Sequence, residues 1–187
     1  MCHTCCLVFV SKEEYLDEKS EKARYDLHTN SSEDKNYRIY LSKVFNPVQE
    51  RIKKGYCGLD FGSGPGPTLS KMFEEAGYKM NIYDHFYAKD EHVLYEGYDF
   101  ITSTEVVEHL YSPKEVLDAL WTIVKKDGLL CLLTQVYPSQ ENFSKWYYKN
   151  DPTHVCFFSD ESMRFMAKKW KASLEIVHKD VFIFKKS

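Results

Sequence analysis

Nowhere in its 187 residues does the chain hold an apolar run approaching the roughly 18 that a membrane-spanning helix needs, which excludes a helical span. The first residues lack the basic-then-apolar layout of a secretory signal. Charge of one sign is scarce as well. The 25 Lys and Arg nearly balance 28 Asp and Glu, leaving a net −3 and no electrostatic reason to expect a nucleic-acid strand as partner. There is no internal repeat and no low-complexity tract, so a solenoid or repeat array is excluded. A disulfide framework is not signalled either. Cys57 and Cys131 lie in apolar strand-like runs, Cys156 sits in "HVCFF", and the other three cysteines crowd into the first six residues, a placing that suits reduced thiols. What is present, 43% hydrophobic and 16% aromatic residues, is ample for one core plus an appended segment. The expectation is a soluble cytoplasmic protein.

Glycine is sparse, eight in all, yet three fall at alternate positions 62, 64 and 66 of "LDFGSGPGP". Lacking a Cβ, glycine reaches conformations other residues avoid, so this cluster marks a close approach of backbone to something else. The flanking periods place it. Ser11 and Glu14 form a capping-box pattern that predicts a helix over 11–28, followed by a polar loop, 28–36. A second helix is expected over 34–54, with Tyr37, Tyr40, Leu41, Val44, Phe45 and Val48 on one face and Pro47 bending or breaking it. Strands are expected at "YCGLDF", "YKMNIYD", "FITSTE" and "LLCLLTQVY". Helices are expected at "PTLSKMFEEAG", from Ser112-Pro113 to just before Gly128, and near 160–170, with "VVEHL" a helical turn. Closing strands fall at 172–178 and 181–185. Strands alternating with helices predict an α/β domain with a mainly parallel sheet, whose ligand sits at the carboxyl ends of the strands.

A phosphate-cradling loop would close on Lys and Ser/Thr, but Pro67, Thr68 and Leu69 stand there. A dinucleotide fingerprint needs G-x-G-x-x-G, whereas the spacing here is G-x-G-x-G behind the carboxylate of Asp60. Neither reading fits well.

"GLDFGSGPG" (58–66) resembles the first motif, D/E-x-G-x-G-x-G, of the class I S-adenosylmethionine-dependent methyltransferases. Asp84, at the end of "NIYD", stands where that family keeps the acid gripping both ribose hydroxyls. "YDFITSTEVVEHL" (98–110) and "LWTIVKKDGLLCLLT" (120–134) resemble its fourth-strand motif and the helix, glycine turn and fifth strand that follow. The resemblance covers residues 34–187. It implies a Rossmann-like seven-stranded sheet under an N-terminal helical cap. It implies S-adenosylmethionine as cofactor, held by Asp60, Gly62, Ser63, Gly64, Gly66, Asp84, Thr104 and Glu105. One departure is plain. Thirteen residues separate Asp84 from Tyr98, too few for a helix plus third strand, so that edge is expected to be abbreviated with "HVLY" as a stub. The family's adenine-contacting acid after the third strand has no clear counterpart.

"EVVEH" places Glu105, Glu108 and His109 on one turn. It resembles a stretch of the ubiquinone-pathway O-methyltransferases and the small-RNA 2′-O-methyltransferases, in which such residues hold a divalent metal. A later His in the small-RNA enzymes makes His154 the fourth candidate ligand beside Glu105, Glu108 and His109. The same motif occurs in relatives without known metal, where Glu105 lines the cofactor pocket and His109 orients substrate. A metal is therefore possible but not expected, and His109, with Glu108 and His154, is the candidate catalytic group. In "NFSKWYYKNDPTHVCFF", Trp146 and Tyr148 are candidate acceptor contacts, with sheet-covering core the alternative for at least one of Trp146, Tyr147 and Tyr148. "ARYDLHTN" (23–30) resembles a cap lying over the cofactor, with His28 as a helix-end or functional residue. Cys2-x-x-Cys5 resembles the second half of a zinc ribbon whose first pair is absent, from truncation or decay. Four ligands are needed, so no stable zinc is expected.

The expected layout is a zinc-ribbon remnant at 1–10, a helical cap at 11–54 and a cofactor-binding domain at 55–187. The expected activity is methyl transfer to a small-molecule acceptor, oxygen before nitrogen, with no membrane or nucleic-acid partner and no indicated oligomeric state. The alternatives are a silent methyltransferase-like binding module, disfavoured by the intact glycines and Asp84, and a nicotinamide oxidoreductase.

Overall fold

Apolar side chains on both faces of one long strand fix the architecture. The computed structural model describes residues 1–27 and 31–187, so the expectation for His28 lies outside the described residues. In chain order it holds β1 (Val8–Phe9), α1 (Glu18–Tyr25), α2 (Lys35–Gln49), β2 (Cys57–Phe61), α3 (Thr68–Glu75), β3 (Lys79–Tyr83), β4 (Tyr98–Thr104), α4 (Pro113–Ile123), β5 (Val124–Leu133), α5 (Gln140–Phe143), β6 (Cys156–Phe157), α6 (Asp160–Trp170), β7 (Ser173–His178) and β8 (Val181–Lys185). Along β5 the side chains alternate. Leu130 and Leu132 pack with Leu117 and Leu120 of α4 and Met163 of α6. Leu129, Cys131 and Leu133 pack with Leu41 and Val44 of α2 and Phe73 of α3. Helices thus cover both faces, as a near-continuous apolar strand requires.

The main sheet runs β3-β2-β4-β5-β8-β7. Its first four strands are parallel, and β8 and β7 are antiparallel to their neighbours. The α/β expectation holds with one correction: among the described residues this sheet has six strands, not seven. After Asp84 the chain makes an isolated bridge to Ala88 and a 3-10 turn over Glu91–Tyr95, capped by the Asp90 side chain. "HVLY" lies in that turn and is not a strand stub. A right-handed crossover needs about a dozen residues before the strand begins, and this segment cannot supply both.

Several helix ends also move. Helix 11–28 breaks in two, because Ser11 makes no side-chain cap and opens only the turn Lys12–Glu14. Asp17 caps α1 by accepting from Ser20 N at 2.8 Å. The second helix ends at Gln49, with Pro47 in its last turn and the Pro47 carbonyl accepting from Arg51 at 2.7 Å. The helix from Pro113 stops at Ile123, and Gly128 lies inside β5, where a Cβ would sit 2.8 Å from the Asp99 carbonyl.

Residues 1–10 are tied down by β1, which pairs antiparallel with β6 in a second, two-stranded sheet. Val10 N donates to Val155 O at 2.8 Å, and the Tyr137 hydroxyl donates to Cys6 O at 2.8 Å. All six cysteines are free thiols. No helix among the described residues is long and apolar enough to cross a membrane.

Candidate active site

The carboxyl ends of β2, β3 and β4 open into a cavity of about 890 Å³. Gly62 and Gly64 have φ of +79° and +64°, a region closed to most side chains. A Cβ on Gly62 would collide with Val106, whereas at Gly64 it would meet open space. The loop is pinned to the end of β3: Gly62 N and Ser63 N donate to Tyr83 O at 2.7 and 3.2 Å, and Gly64 N donates to Asp84 Oδ2 at 2.8 Å. Asp84 Oδ1 also accepts from Phe86 N and Tyr87 N at 2.9 and 3.1 Å. Three of about four acceptor positions of this carboxylate are therefore engaged by backbone, leaving room for one more donor rather than the two anticipated. Ser63 and Thr104 lie on the cavity wall, as do Asp60, Gly62, Gly64, Asp84 and Glu105. Gly66 is off the wall; its carbonyl accepts from Thr68 N at 2.6 Å and starts α3. Asp60 accepts from the Thr102 hydroxyl at 2.9 Å, and burial pushes its carboxyl up to about 6.

"EVVEH" builds the opposite part. Glu105 has φ +53°, a strained conformation for a residue with a side chain. Its side chain accepts from the Tyr40 hydroxyl at 3.0 Å and lies 3.1 Å from the Tyr148 hydroxyl. Glu108, fully buried behind the wall, accepts from Tyr148 and, at 2.9 Å, from the Thr134 hydroxyl. One tyrosine hydroxyl carries one proton, so it can donate to only one of the two carboxyl groups. The other contact requires a protonated carboxyl. Burial, then repulsion from Glu108, pushes Glu105 up to about 7, and burial raises Glu108 as well.

Of the four candidate metal ligands, the structure brings three together. Ligand atoms of Glu108, His109 and His154 lie within 4.8 Å of one another, which suits a divalent cation with open positions. Glu105 is outside this group because its side chain is turned to Tyr40 and Tyr148. Among the described residues it is the one such group, so the opening cysteines and His3 do not assemble another. The His109 and His154 rings are 4.7 Å apart. Nδ1 of each is within 3.0 and 2.6 Å of the Thr153 and Tyr148 carbonyls, contacts that fix the neutral tautomer with basic Nε2. Burial, then His109, lowers the His154 imidazole below its ordinary value.

Trp146 and Tyr148 do not reach the cavity. Tyr148 is only 6% exposed, so the core alternative describes it, whereas Trp146 is half-buried against Phe143, Tyr148 and Phe157. The aromatic wall is instead formed by Tyr25, Tyr37, Tyr40, Phe86, Tyr87 and Tyr111. Tyr37 and Tyr40 belong to one apolar face of α2, and nothing local distinguishes a face turned to a cavity from one turned to core. Tyr25 edges onto His109, with centroids 5.3 Å apart.

A family described as a methyltransferase domain matches residues 34–179. No curated protein matches the chain. Among solved structures, a Methanococcus maripaludis protein described as a candidate S-adenosyl-L-methionine-dependent methyltransferase superposes with a TM-score of 0.59 at 14% identity, covering 96% of this chain and 97% of that one. The magnesium protoporphyrin IX methyltransferase of Synechocystis PCC 6803, with bound S-adenosylmethionine, gives 0.55 at 11% identity over 81% and 80%. The plantazolicin methyltransferase BpumL, in complex with S-adenosylhomocysteine, gives 0.53 at 13% identity over 91% of each chain. At such identities the likeness is one of fold.

Proposed function

The chain belongs to the methyltransferase-domain family and is an S-adenosylmethionine-dependent methyltransferase, and from that premise we propose that it methylates a small-molecule acceptor over His109, on oxygen before nitrogen. One observation carries the reading: a single cavity is lined both by the glycine loop with Asp84 and by His109 with His154. When bound, S-adenosylmethionine supplies a methyl group on a good leaving system, which leaves the protein to position and deprotonate. Gly62 and Gly64 let backbone approach the cofactor closely, and Asp84 takes a ribose hydroxyl at its remaining acceptor position. Asp60, Ser63, Thr104 and Glu105 line the same side. Gly66 acts through the start of α3 rather than by contact.

His109 is the proposed base. Its Nδ1–H donates to the Thr153 carbonyl, so Nε2 takes the proton of an acceptor hydroxyl as the new bond forms. Glu108, buried beside it, favours the imidazolium that results. Oxygen comes before nitrogen because a hydroxyl needs such a base, whereas an amine gives up its proton after transfer. Methyl-labelled S-adenosylmethionine incubated with a size-fractionated cell extract tests the acceptor class. Label is expected in the low-mass fraction, and label held by RNA or protein would refute it.

A second reading places a divalent cation on Glu108, His109 and His154, favoured by their 4.8 Å grouping. Titration calorimetry with magnesium and manganese is expected to show no binding. Saturable binding lost in His154→Ala would establish the metal instead.

A further inference from the structure

Resting on the reading of this cavity as the place of methyl transfer, we infer that the acceptor carries a positive charge, an amine protonated at neutral pH, about one aromatic ring away from the atom that is methylated. The wall holds six acids, Glu18, Glu21, Asp60, Asp84, Glu105 and Asp151, and among the described residues no Lys or Arg. An anionic acceptor would find no permanent cation to meet it.

Five of the six acids are accounted for. Asp60 is held by Thr102, Asp84 by three backbone N–H groups, and Glu105 by two tyrosines. Asp151 is paired with Arg24 at 2.9 Å. Glu18 is exposed and faces His85 at 3.7 Å. Glu21 is different. It is only 8% exposed, and its two carboxylate oxygens accept from the neutral hydroxyls of Tyr25 and Tyr111, at 2.8 and 2.9 Å, with no ion pair to a basic side chain among the described residues. Of the basic residues of α1, Lys22 is paired with Asp26 and Arg24 with Asp151, and Lys19 does not line the cavity. A buried carboxylate without a counter-charge is unfavourable unless something else supplies it.

The surroundings fit an ammonium group. Tyr25, Phe86 and Tyr111 line the same cavity as Glu21, and aromatic rings attract cations. Tyr25 also sets a ruler. Its hydroxyl contacts Glu21 while its ring edges onto His109, so one tyrosine touches both the carboxylate and the proposed base. A molecule that places its nucleophilic oxygen at His109 brings a ring-spaced amine to Glu21.

Three phenols that share a two-carbon para arm and carry a cationic, a neutral or an anionic end test this: tyramine, 4-ethylphenol and 3-(4-hydroxyphenyl)propionate, titrated by calorimetry into protein saturated with S-adenosylhomocysteine. Tyramine is expected to bind about ten- to a hundredfold more tightly than the propionate, the range of one charge-assisted contact. Glu21→Gln should remove most of that preference and leave S-adenosylhomocysteine affinity within about twofold. Tyr111→Phe, which keeps the charge, should retain the preference. Propionate binding as well as tyramine, or no tyramine binding at millimolar concentration, would overturn the inference. So would a Glu21→Gln variant that weakens S-adenosylhomocysteine and tyramine alike, because Glu21 would then serve the cofactor. If Glu21→Gln does not fold, the wild-type comparison still decides. Absence of S-adenosylhomocysteine binding in the wild type would instead sink the methyltransferase reading on which this rests.

Discussion

Asp84 joins two tasks in one carboxylate, fastening the glycine loop through Gly64 N and facing the cavity. Asp84→Ala removes both. S-adenosylhomocysteine affinity is expected to fall by about two orders of magnitude, from about 3 kcal/mol of lost charge-assisted hydrogen bonding. A calorimetric change of only a few-fold would remove Asp84 from the cofactor site. Glu105 gives a pH dependence of known sign. Its folded value near 7 exceeds that of an unfolded carboxyl, so the folded state binds the extra proton. Its contribution to stability is full below about pH 4 and is lost as pH rises through 7. Glu105→Gln should therefore melt a few degrees above wild type at pH 7.5, about 1–2 kcal/mol, and lose that advantage near pH 4.5. Scanning fluorimetry at the two pH values checks it, and an advantage equal at both would show that Glu105 does not titrate in this window. At this scale the sequence was most legible where spacing is local, at Gly62, Gly64, Asp84 and Glu105–His109. Glu21 and Tyr25 gain their meaning only by contact with Tyr111 and His109, far along the chain.

Elements were legible where period and cap agreed. Ser112-Pro113 and the apolar run of β5 needed no tertiary information. Helix 11–28 misled because Ser11 and Glu14 match a capping box, while Asp17 makes the stronger cap three residues before Ser20. The segment 143–158 misled in another way. Its aromatics suggested an acceptor wall, but Tyr148 lies one layer behind it, its hydroxyl between two carboxyl groups, and Tyr147 is exposed to solvent. Tyr148→Phe should consequently act on stability. Removing the hydroxyl leaves Glu108 short of a donor in a fully buried place, for a loss of about 1–3 kcal/mol, while S-adenosylhomocysteine affinity stays near wild type. An unchanged melting temperature would mean that Thr134 alone satisfies Glu108.

For the whole molecule, alternation of strands and helices sufficed to read an α/β sheet covered on both faces. The six-strand count could be anticipated only in part, since a thirteen-residue link says that something is missing but not that a 3-10 turn replaces it. The pairing partner of residues 1–10 was not legible, because a two-residue strand carries no register of its own. The structure pairs β1 with β6, which begins two residues after His154. Deleting 1–10 is expected to lower the melting temperature by only a few degrees, since the main core is untouched. Hydrogen exchange at 154–157 should lose protection while β2, β4 and β5 keep theirs. Equal loss everywhere would show that β1 supports the whole fold.

The position of β8 has a consequence for synthesis. It lies between β5 and β7, with Val181 to Phe184 buried, yet no other strand of the six comes later in the sequence. A nascent chain therefore displays the open side of β5, an apolar strand from Leu129 to Leu133 with unpaired backbone groups, from the emergence of Leu133 until that of Lys185. At 5–20 residues per second that interval lasts roughly 3–10 s, long compared with collapse. During it β5 is an uncovered edge of the kind that recruits other strands. Chaperone capture of ribosome-bound chains should peak in that interval and end once β8 clears the exit tunnel.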